Sequence, residues 1–394
     1  MLLVGNGFDI AVLTQLNSEY FTTYTSFFYF LKSTRFDEQN ILFQEMDRLR
    51  VLHEESLKRG GSDYADWSDF EVGLENLIRS PGFYDFVKLD KDLESLQQAF
   101  SKFLDTVVSP HILNKLDNLA RKHMWASRTF ARFLADLNLS QFRRTNLPLE
   151  ASHGDLLNFN IINFNYTFLL DSYLYLDRHQ FEPHPYTSSD NNFEFRRNPR
   201  SFDSSAGIPP QGNAETGCSA YLATQIHHPH GIQQVPRSLL FGIDGNDHQA
   251  KRGSGTKLEK PYWAQTPRKY EKMISESELF IIFGSSLGKT DKWWWRHILA
   301  TIYKGSQLII YAYKKEYEST GPIEESLRTQ FIRDNFDSTL FGGRSLNDPS
   351  VLLKLKENIH VVVYKDPSTL SAFGFGKDLV PPWSRDPELI PPVI

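Results

Sequence analysis

Apolar residues open the chain in a short unbroken run, Met1-Leu2-Leu3-Val4, which Gly5-Asn6-Gly7 cuts off at once. A run of that length bounded by glycine reads as a buried strand. From Ile10 the apolar positions change to steps of three and four. Leu13, Leu16, Tyr20, Tyr24, Phe27 and Leu31 then share one helical face. Ser68-Asp69-Phe70-Glu71 has the spacing of a capping box ahead of Val72, Leu74, Leu77 and Ile78. Leu89, Leu93, Leu96, Phe100, Phe103 and Val107 mark another amphipathic helix, and Leu113 to Leu137 one or two more.

At Leu156 the pattern changes. Ile161-Ile162-Asn163-Phe164 is strand-like, and a helix is expected from Phe168. Residues 183–220, rich in Pro, Ser, Asn and Gly, read as a long loop or mobile insertion. Strands are expected at Tyr221–Ile226, Ser238–Ile243, Leu279–Phe283, Gln307–Tyr313 and His360–Tyr364. Helices are expected at Asp291–Ile302 and Ile323–Phe331, and the Pro-rich tail after Phe373 reads as irregular. Alternating strands and helices predict an α/β fold, a Rossmann-like doubly wound and mostly parallel sheet. The block at about 10–150 would be a helical insertion or cap after the first strand. The whole of 1–394 reads as one domain.

Composition narrows the function. With 40% hydrophobic and 14% aromatic residues the chain can bury a full core. A net charge of -5 argues against general nucleic-acid or membrane-surface binding, but leaves room for a local basic pocket. The single cysteine, Cys218, has no intrachain partner and no metal-ligand pattern around it, which fits a reducing cytoplasm. No signal-peptide core or membrane span is expected. Trp293-Trp294-Trp295, flanked by Lys292 and Arg296, reads as part of a helix with at least one buried indole.

In an open α/β sheet, ligands bind outside the carboxyl ends of the strands, so polar residues just after strands are the candidates. Gly5-Asn6-Gly7-Phe8-Asp9 is either a phosphate loop lacking its third glycine, where Ile10 stands, or a tight turn. Asp9 is either the helix N-cap or a residue facing a ribose hydroxyl or a metal ion. In Asn163-Phe164-Asn165-Tyr166-Thr167 an amide can grip a ribose diol, orient water or satisfy the turn. In His227-His228-Pro229-His230-Gly231 a histidine can be a general base, a metal ligand or a partner of backbone carbonyls. Gly284-Ser285-Ser286-Leu287-Gly288 is a second anion-cradling shape, though not a Walker loop. Lys289 can add charge to it, and Asp291 is expected to cap the next helix. Glu71 is explained by its capping box without chemistry.

Taken in order, Gly5-Asn6-Gly7-Phe8-Asp9, Trp67-Ser68-Asp69-Phe70-Glu71, Asn163-Phe164-Asn165-Tyr166-Thr167, His230-Gly231, Phe241-Gly242-Ile243-Asp244 and Gly284-Ser285-Ser286-Leu287-Gly288 with Thr290-Asp291 span nearly the whole chain. The set resembles the AbiH family of bacterial phage abortive-infection proteins, itself similar to the sirtuin-like superfamily. That resemblance implies a cytoplasmic defence effector that binds a nucleotide and hydrolyses the N-glycosidic bond of NAD, with NAD as substrate and no further cofactor required. Asn165 and His230 would be catalytic. Gly5, Asn6, Gly7, Phe8, Asp9, Tyr166, Thr167, Gly231, Gly284, Ser285, Ser286 and Leu287 would line the nucleotide. Two positions depart from the superfamily: Asp9 stands where Ser is usual, and Thr167 where Asp is usual. A phage-derived trigger or partner defence protein and a homo-oligomer are expected, and no metal. The alternatives are a non-catalytic nucleotide sensor and a metal-dependent nuclease using Asp9, the histidines and Asp291.

Overall fold

The structure is a computed structural model that describes residues 1–59, 70–79, 85–131, 133–145, 156–176, 193–195, 218–241, 267–288, 291–316 and 320–375. Its strands are β1 (Leu2–Val4), β2 (Leu156–Asn163), β3 (Phe193–Phe195), β4 (Cys218–His227), β5 (Leu279–Phe283), β6 (Gln307–Tyr313) and β7 (Ile359–Tyr364). They form one sheet in the order β3-β4-β2-β1-β5-β6-β7. Only β3 runs antiparallel, along the edge of β4. The other six strands are parallel throughout. The chain leaves β1 outward to β2 and β4, then returns to β5 on the other side of β1. Strand order therefore reverses between β1 and β5, which makes their carboxyl ends the topological switch point of a Rossmann-like sheet.

Eight described helices lie between β1 and β2: α1 (Asn6–Gln15), α2 (Tyr24–Ser33), α3 (Ile41–Lys58), α4 (Phe70–Arg79), α5 (Phe86–Val107), α6 (Pro110–Lys122), α7 (Trp125–Ala131) and α8 (Leu139–Arg143). After β2 comes α9 (Leu169–Tyr173), and before β5 comes α10 (Pro267–Ser275). The connection from β5 to β6 carries α11 (Lys292–Lys304), and that from β6 to β7 carries α12 (Thr320–Asn335) and α13 (Pro349–Glu357). Among the described residues no helix is long and apolar enough to cross a membrane.

Two cores follow from strand alternation, because a parallel strand buried on both faces needs apolar residues on both. Leu2, Val4, Ile161, Ile281, Phe283, Ile309 and Tyr311 face the helices inserted after β1. Leu3, Ile162, Phe280, Ile282, Leu308 and Ile310 face α10 to α13. The insertion thus supplies the helical layer on one face of the sheet. In the tryptophan run, Trp294 and Trp295 are buried on α11.

Several sequence expectations are corrected. The helix after β1 starts at Asn6, four residues earlier than the periodicity indicated, and the stripe from Leu13 to Leu31 is not one helix. Asn17 adopts φ 50, and the amides of Asn17 and Ser18 fold back to Thr14 O and Leu13 O, closing α1 in a Schellman turn. Tyr20 falls in the connection that follows and is exposed. Within 183–220, Phe193–Phe195 and the start of β4 are strand, and the remainder lies outside the described residues. Ser238–Ile243 is not a strand where it is described. Pro236–Ser238 is a 3-10 turn, and Leu239 and Phe241 enter the core as loop anchors. Ser68, the proposed cap of α4, lies outside the described residues.

One buried group in the sheet has a measurable signature. His360 on β7 is fully buried, and among the described residues neither ring nitrogen has a hydrogen-bond partner. Burial first, then the charges of Arg144 and Arg328, push its pKa down to about 4. A histidine whose pKa falls on folding contributes stability that is present above its unfolded value and lost as pH falls through the folded one. Stability lost between about pH 7 and pH 4 should therefore shrink by about 3 kcal/mol in His360→Val. Urea midpoints of both proteins at those pH values check this.

Candidate functional site

The switch point is built by glycines from two loops. Gly5 N donates to Phe283 O at 2.9 Å and Gly7 N to Gly284 O at 2.7 Å. A Cβ on Gly5 would lie 2.8 Å from Gly284 O, one on Gly7 2.8 Å from Gly284 Cα, and one on Gly284 2.5 Å from Phe8 N. Gly284 also has φ +66, a left-handed conformation that glycine adopts without steric cost. The loops after β1 and β5 therefore interlock backbone to backbone. Phe8 N donates to Gly5 O at 3.0 Å, so the amides of Gly5, Gly7 and Phe8 all have partners inside the protein. The Asn6 amide group grips Thr22 at 3.0 Å and 2.5 Å. Phe8 turns its ring into the core against Tyr173 and Phe283.

Asp9 is not the N-cap of α1. Gly5 holds that position, which puts Asp9 in the helix's first turn and inside the protein. Its side chain is fully buried. Oδ1 accepts from Asn165 Nδ2 at 2.9 Å and Oδ2 from the Thr167 hydroxyl at 2.6 Å. Burial raises its pKa to about 7, even though both hydrogen bonds and His228 oppose the rise; Asp171 adds to it. The acid on α1 and the hydroxyl after β2 thus face each other.

The loop after β2 is folded by its own side chains. Asn163 Oδ1 accepts from Asn165 N at 3.0 Å, while Asn163 Nδ2 reaches Thr167 O and Asp171 Oδ2, both at 3.4 Å. Tyr166 is a structural anchor. Its ring packs edge-on against Phe100 and Phe241, and its hydroxyl donates to Leu240 O at 3.0 Å.

The histidines separate. His227 lies against Tyr270. His228 Nε2 pairs with Asp171 Oδ1 at 3.0 Å. His230 Nδ1 donates to Phe164 O at 3.2 Å, and its Nε2 faces Asp291 Oδ1 at 3.1 Å. Among the described residues no group of three or more His, Cys, Asp or Glu is arranged to hold a metal ion. Gly231 makes the sharp exit from His230: φ is +86, and a Cβ would lie 1.9 Å from Ser238 O. Asp291 occupies the N-cap position of α11, but its side chain makes no capping bond. With φ -118 and ψ 21 it departs from the extended cap geometry, and its carboxylate turns to His230.

In the β5 loop, Ser285 Oγ accepts from Leu287 N at 3.1 Å and so supports the left-handed φ 57 of Leu287, a conformation uncommon outside glycine. Ser286 is exposed. Lys289, Thr290 and Gly242 to Asp244 lie outside the described residues. Sequence reasoning did not single out Asp171. The only signal was its place in the first turn of a helix just after Asn165-Tyr166-Thr167, a position the helix dipole alone accounts for.

Asn165 therefore rests on Asp9, while His230 spans the loops after β2 and β5, at the carboxyl edge of the sheet. A family model described as "Bacteriophage abortive infection AbiH" matches residues 1–313, a span that carries every one of these groups. No curated protein and no solved structure matches the chain. The chain belongs to the AbiH family of bacteriophage abortive infection proteins.

Proposed function

We propose that this AbiH protein acts in abortive infection by binding a nucleotide at the β1–β5 switch point and cleaving the N-glycosidic bond of NAD. The observation that carries the reading is that Asn165 bonds Asp9 after β1 while His230 bonds the carbonyl of the neighbouring Phe164 and faces Asp291 after β5, so that the chain segments after β1, β2, β4 and β5 are joined at the edge where Rossmann-like sheets take ligands. Nicotinamide departs as a neutral group, so the reaction asks for positioning, support of the ribosyl cation and a water. Asn165 would hold a ribose hydroxyl or that water. His230 would accept a proton once Asp291 gives up Nε2. With the amides of Gly5, Gly7 and Phe8 engaged, the Gly284–Leu287 loop is the better place for the phosphates, and Ser286 faces solvent there.

Purified protein incubated with NAD should release nicotinamide and ADP-ribose. Asn165→Ala and His230→Ala should each lower the rate by about 100-fold or more, the range for losing one acid–base or electrostatic group. Undiminished product from either variant would remove that residue from the mechanism.

One observation favours a second reading, the non-catalytic sensor. Both nitrogens of His230 are engaged, so the base is not presented in this conformation. Tight nucleotide binding without turnover would decide for it. A phage-derived trigger, a partner protein or self-association would be the means of releasing Asp291.

A further inference from the structure

We propose that Asp9 sets the polarity of the nucleotide pocket: it holds the amide nitrogen of Asn165 and the hydroxyl proton of Thr167, so that this wall presents acceptors and selects the ribose hydroxyls of a nucleotide over its phosphates. The inference rests on the nucleotide-binding reading above and names which part of the ligand this wall takes.

An asparagine side chain offers an acceptor at one end and donors at the other, and its neighbours decide which end faces the ligand. A carboxylate only accepts. While Asp9 is ionised, the end of Asn165 that faces its Oδ1 at 2.9 Å must be Nδ2. Oδ1 of Asn165 is then the end turned away. Among the described residues no donor reaches it, and it is not one of the fully buried atoms lacking a partner. Thr167 has committed its proton to Asp9 Oδ2, which leaves only lone pairs on its oxygen, and Leu169 N approaches these at 3.4 Å.

The surroundings add to the same polarity. Asp171 lies close enough to raise the pKa of Asp9, so the carboxylates share one region. Two of the backbone donors that would ordinarily draw a phosphate to the start of α1 are turned inward: Gly7 N to Gly284 O and Phe8 N to Gly5 O. A phosphate placed here would meet acceptors and negative charge. A sugar hydroxyl would find an acceptor aimed at it. Asp9 is fully buried, so it acts through Asn165 and Thr167 as a positioning residue.

The test is isothermal titration of the full chain at about pH 8.5, above the Asp9 pKa of about 7, with ADP-ribose and with the same compound lacking one hydroxyl of the terminal ribose. Wild type should bind ADP-ribose about 10-fold more tightly than the deoxy compound, the value of one hydrogen bond in a buried site. Asp9→Asn introduces a donor in place of an acceptor and lets Asn165 turn over. Discrimination should then fall to about 2-fold or less. A merely structural role for Asp9 would weaken both ligands equally and leave their ratio unchanged. Thr167→Val keeps Asp9 and Asn165 together and should keep most of the ratio.

Equal binding of the two ligands by wild type, or an unchanged ratio in Asp9→Asn, overturns the inference while leaving nucleotide binding intact. Binding of neither ligand by wild type overturns the nucleotide reading, and this inference with it. The wild-type comparison needs no variant, so it can overturn the inference even if Asp9→Asn fails to fold.

Discussion

Gly7→Ala is expected to destabilise the protein, where helix propensity alone would stabilise it by about 1 kcal/mol. Gly7 lies in the first turn of α1, and alanine is the better helix former. Its new Cβ, however, would sit 2.8 Å from Gly284 Cα and 2.9 Å from Gly284 O. Both are backbone atoms, which cannot swing aside as a side chain can. Relief requires the β5 loop to move off α1, and that breaks the 2.7 Å bond from Gly7 N to Gly284 O. Overpacking of this kind costs about 1–3 kcal/mol. Gly284→Ala should cost more, about 2–5 kcal/mol, because the left-handed φ +66 adds about 1–2 kcal/mol to a 2.5 Å clash with Phe8 N. Gly305→Ala is the control: its φ is +127, but nothing lies within 4 Å of the new Cβ, so only the backbone conformation is charged. Urea denaturation midpoints at constant m-value rank the three variants. A Gly7→Ala protein more stable than wild type would show that the two loops do not interlock.

Asp9→Asn is expected to raise stability at neutral and alkaline pH by about 4 kcal/mol relative to wild type, and to leave it nearly unchanged near pH 4. Burial is the main reason the Asp9 carboxyl stands at about 7 instead of 3.8. An acid whose pKa rises on folding contributes stability that is fully present below the unfolded value. That contribution is lost as pH rises through the folded value. The window is therefore about pH 4 to pH 7, on the alkaline side of the ordinary carboxylate range. Asparagine has the same shape and no proton to lose. His360 works in the opposite direction over part of this window, so the reading is the difference between variant and wild type at each pH. A constant difference from pH 4 to pH 8 would mean that Asp9 is ionised in the folded protein at the acid end as well. The fold would then be holding a buried carboxylate at a cost its two hydrogen bonds must meet. The same titration bears on the pocket, because a protonated Asp9 can donate, and Asn165 is then free to present either end.

Much of the fold was legible in the chain. β1, β5 and β6 are short apolar runs ended by glycine or by a polar turn, and such runs have few other uses. The long stripe from Leu89 to Val107 belongs to α5 and needs only its 3.6-residue period to be seen. The failures have physical causes. The stripe from Leu13 to Leu31 kept its period by chance across a break set by the left-handed Asn17. Leu239 and Phe241 alternate like strand residues, but they hold a loop to α5, with Gln97 Nε2 donating to Leu239 O at 2.9 Å. Alternation records which residues face inward and not which backbone carries them.

The candidate site divides in the same way. Residue types and their order identified Gly5, Gly7, Asn165, His230 and Gly284, and no distance was needed for that. Asp9 as N-cap and Asp291 as helix cap were local readings, and both gave way to partners far along the chain: Asn165 and Thr167 for the first, His230 for the second. Asp171 became visible only when its bond to His228 did.

The sequence by itself determined that this is a doubly wound α/β chain, that its candidate site residues follow β1, β2, β4 and β5, and that glycines stand in the loops after β1, β4 and β5. These are local properties, fixed by period, conformational freedom and the place of polar residues after strands. Only the tertiary structure decided what the glycines approach, which end of Asn165 is turned outward when Asp9 is ionised, and that the acid at position 9 is buried deeply enough to titrate near neutrality. Those are set by contacts between segments more than 150 residues apart and by removal from water, and neither is written in any short stretch of chain.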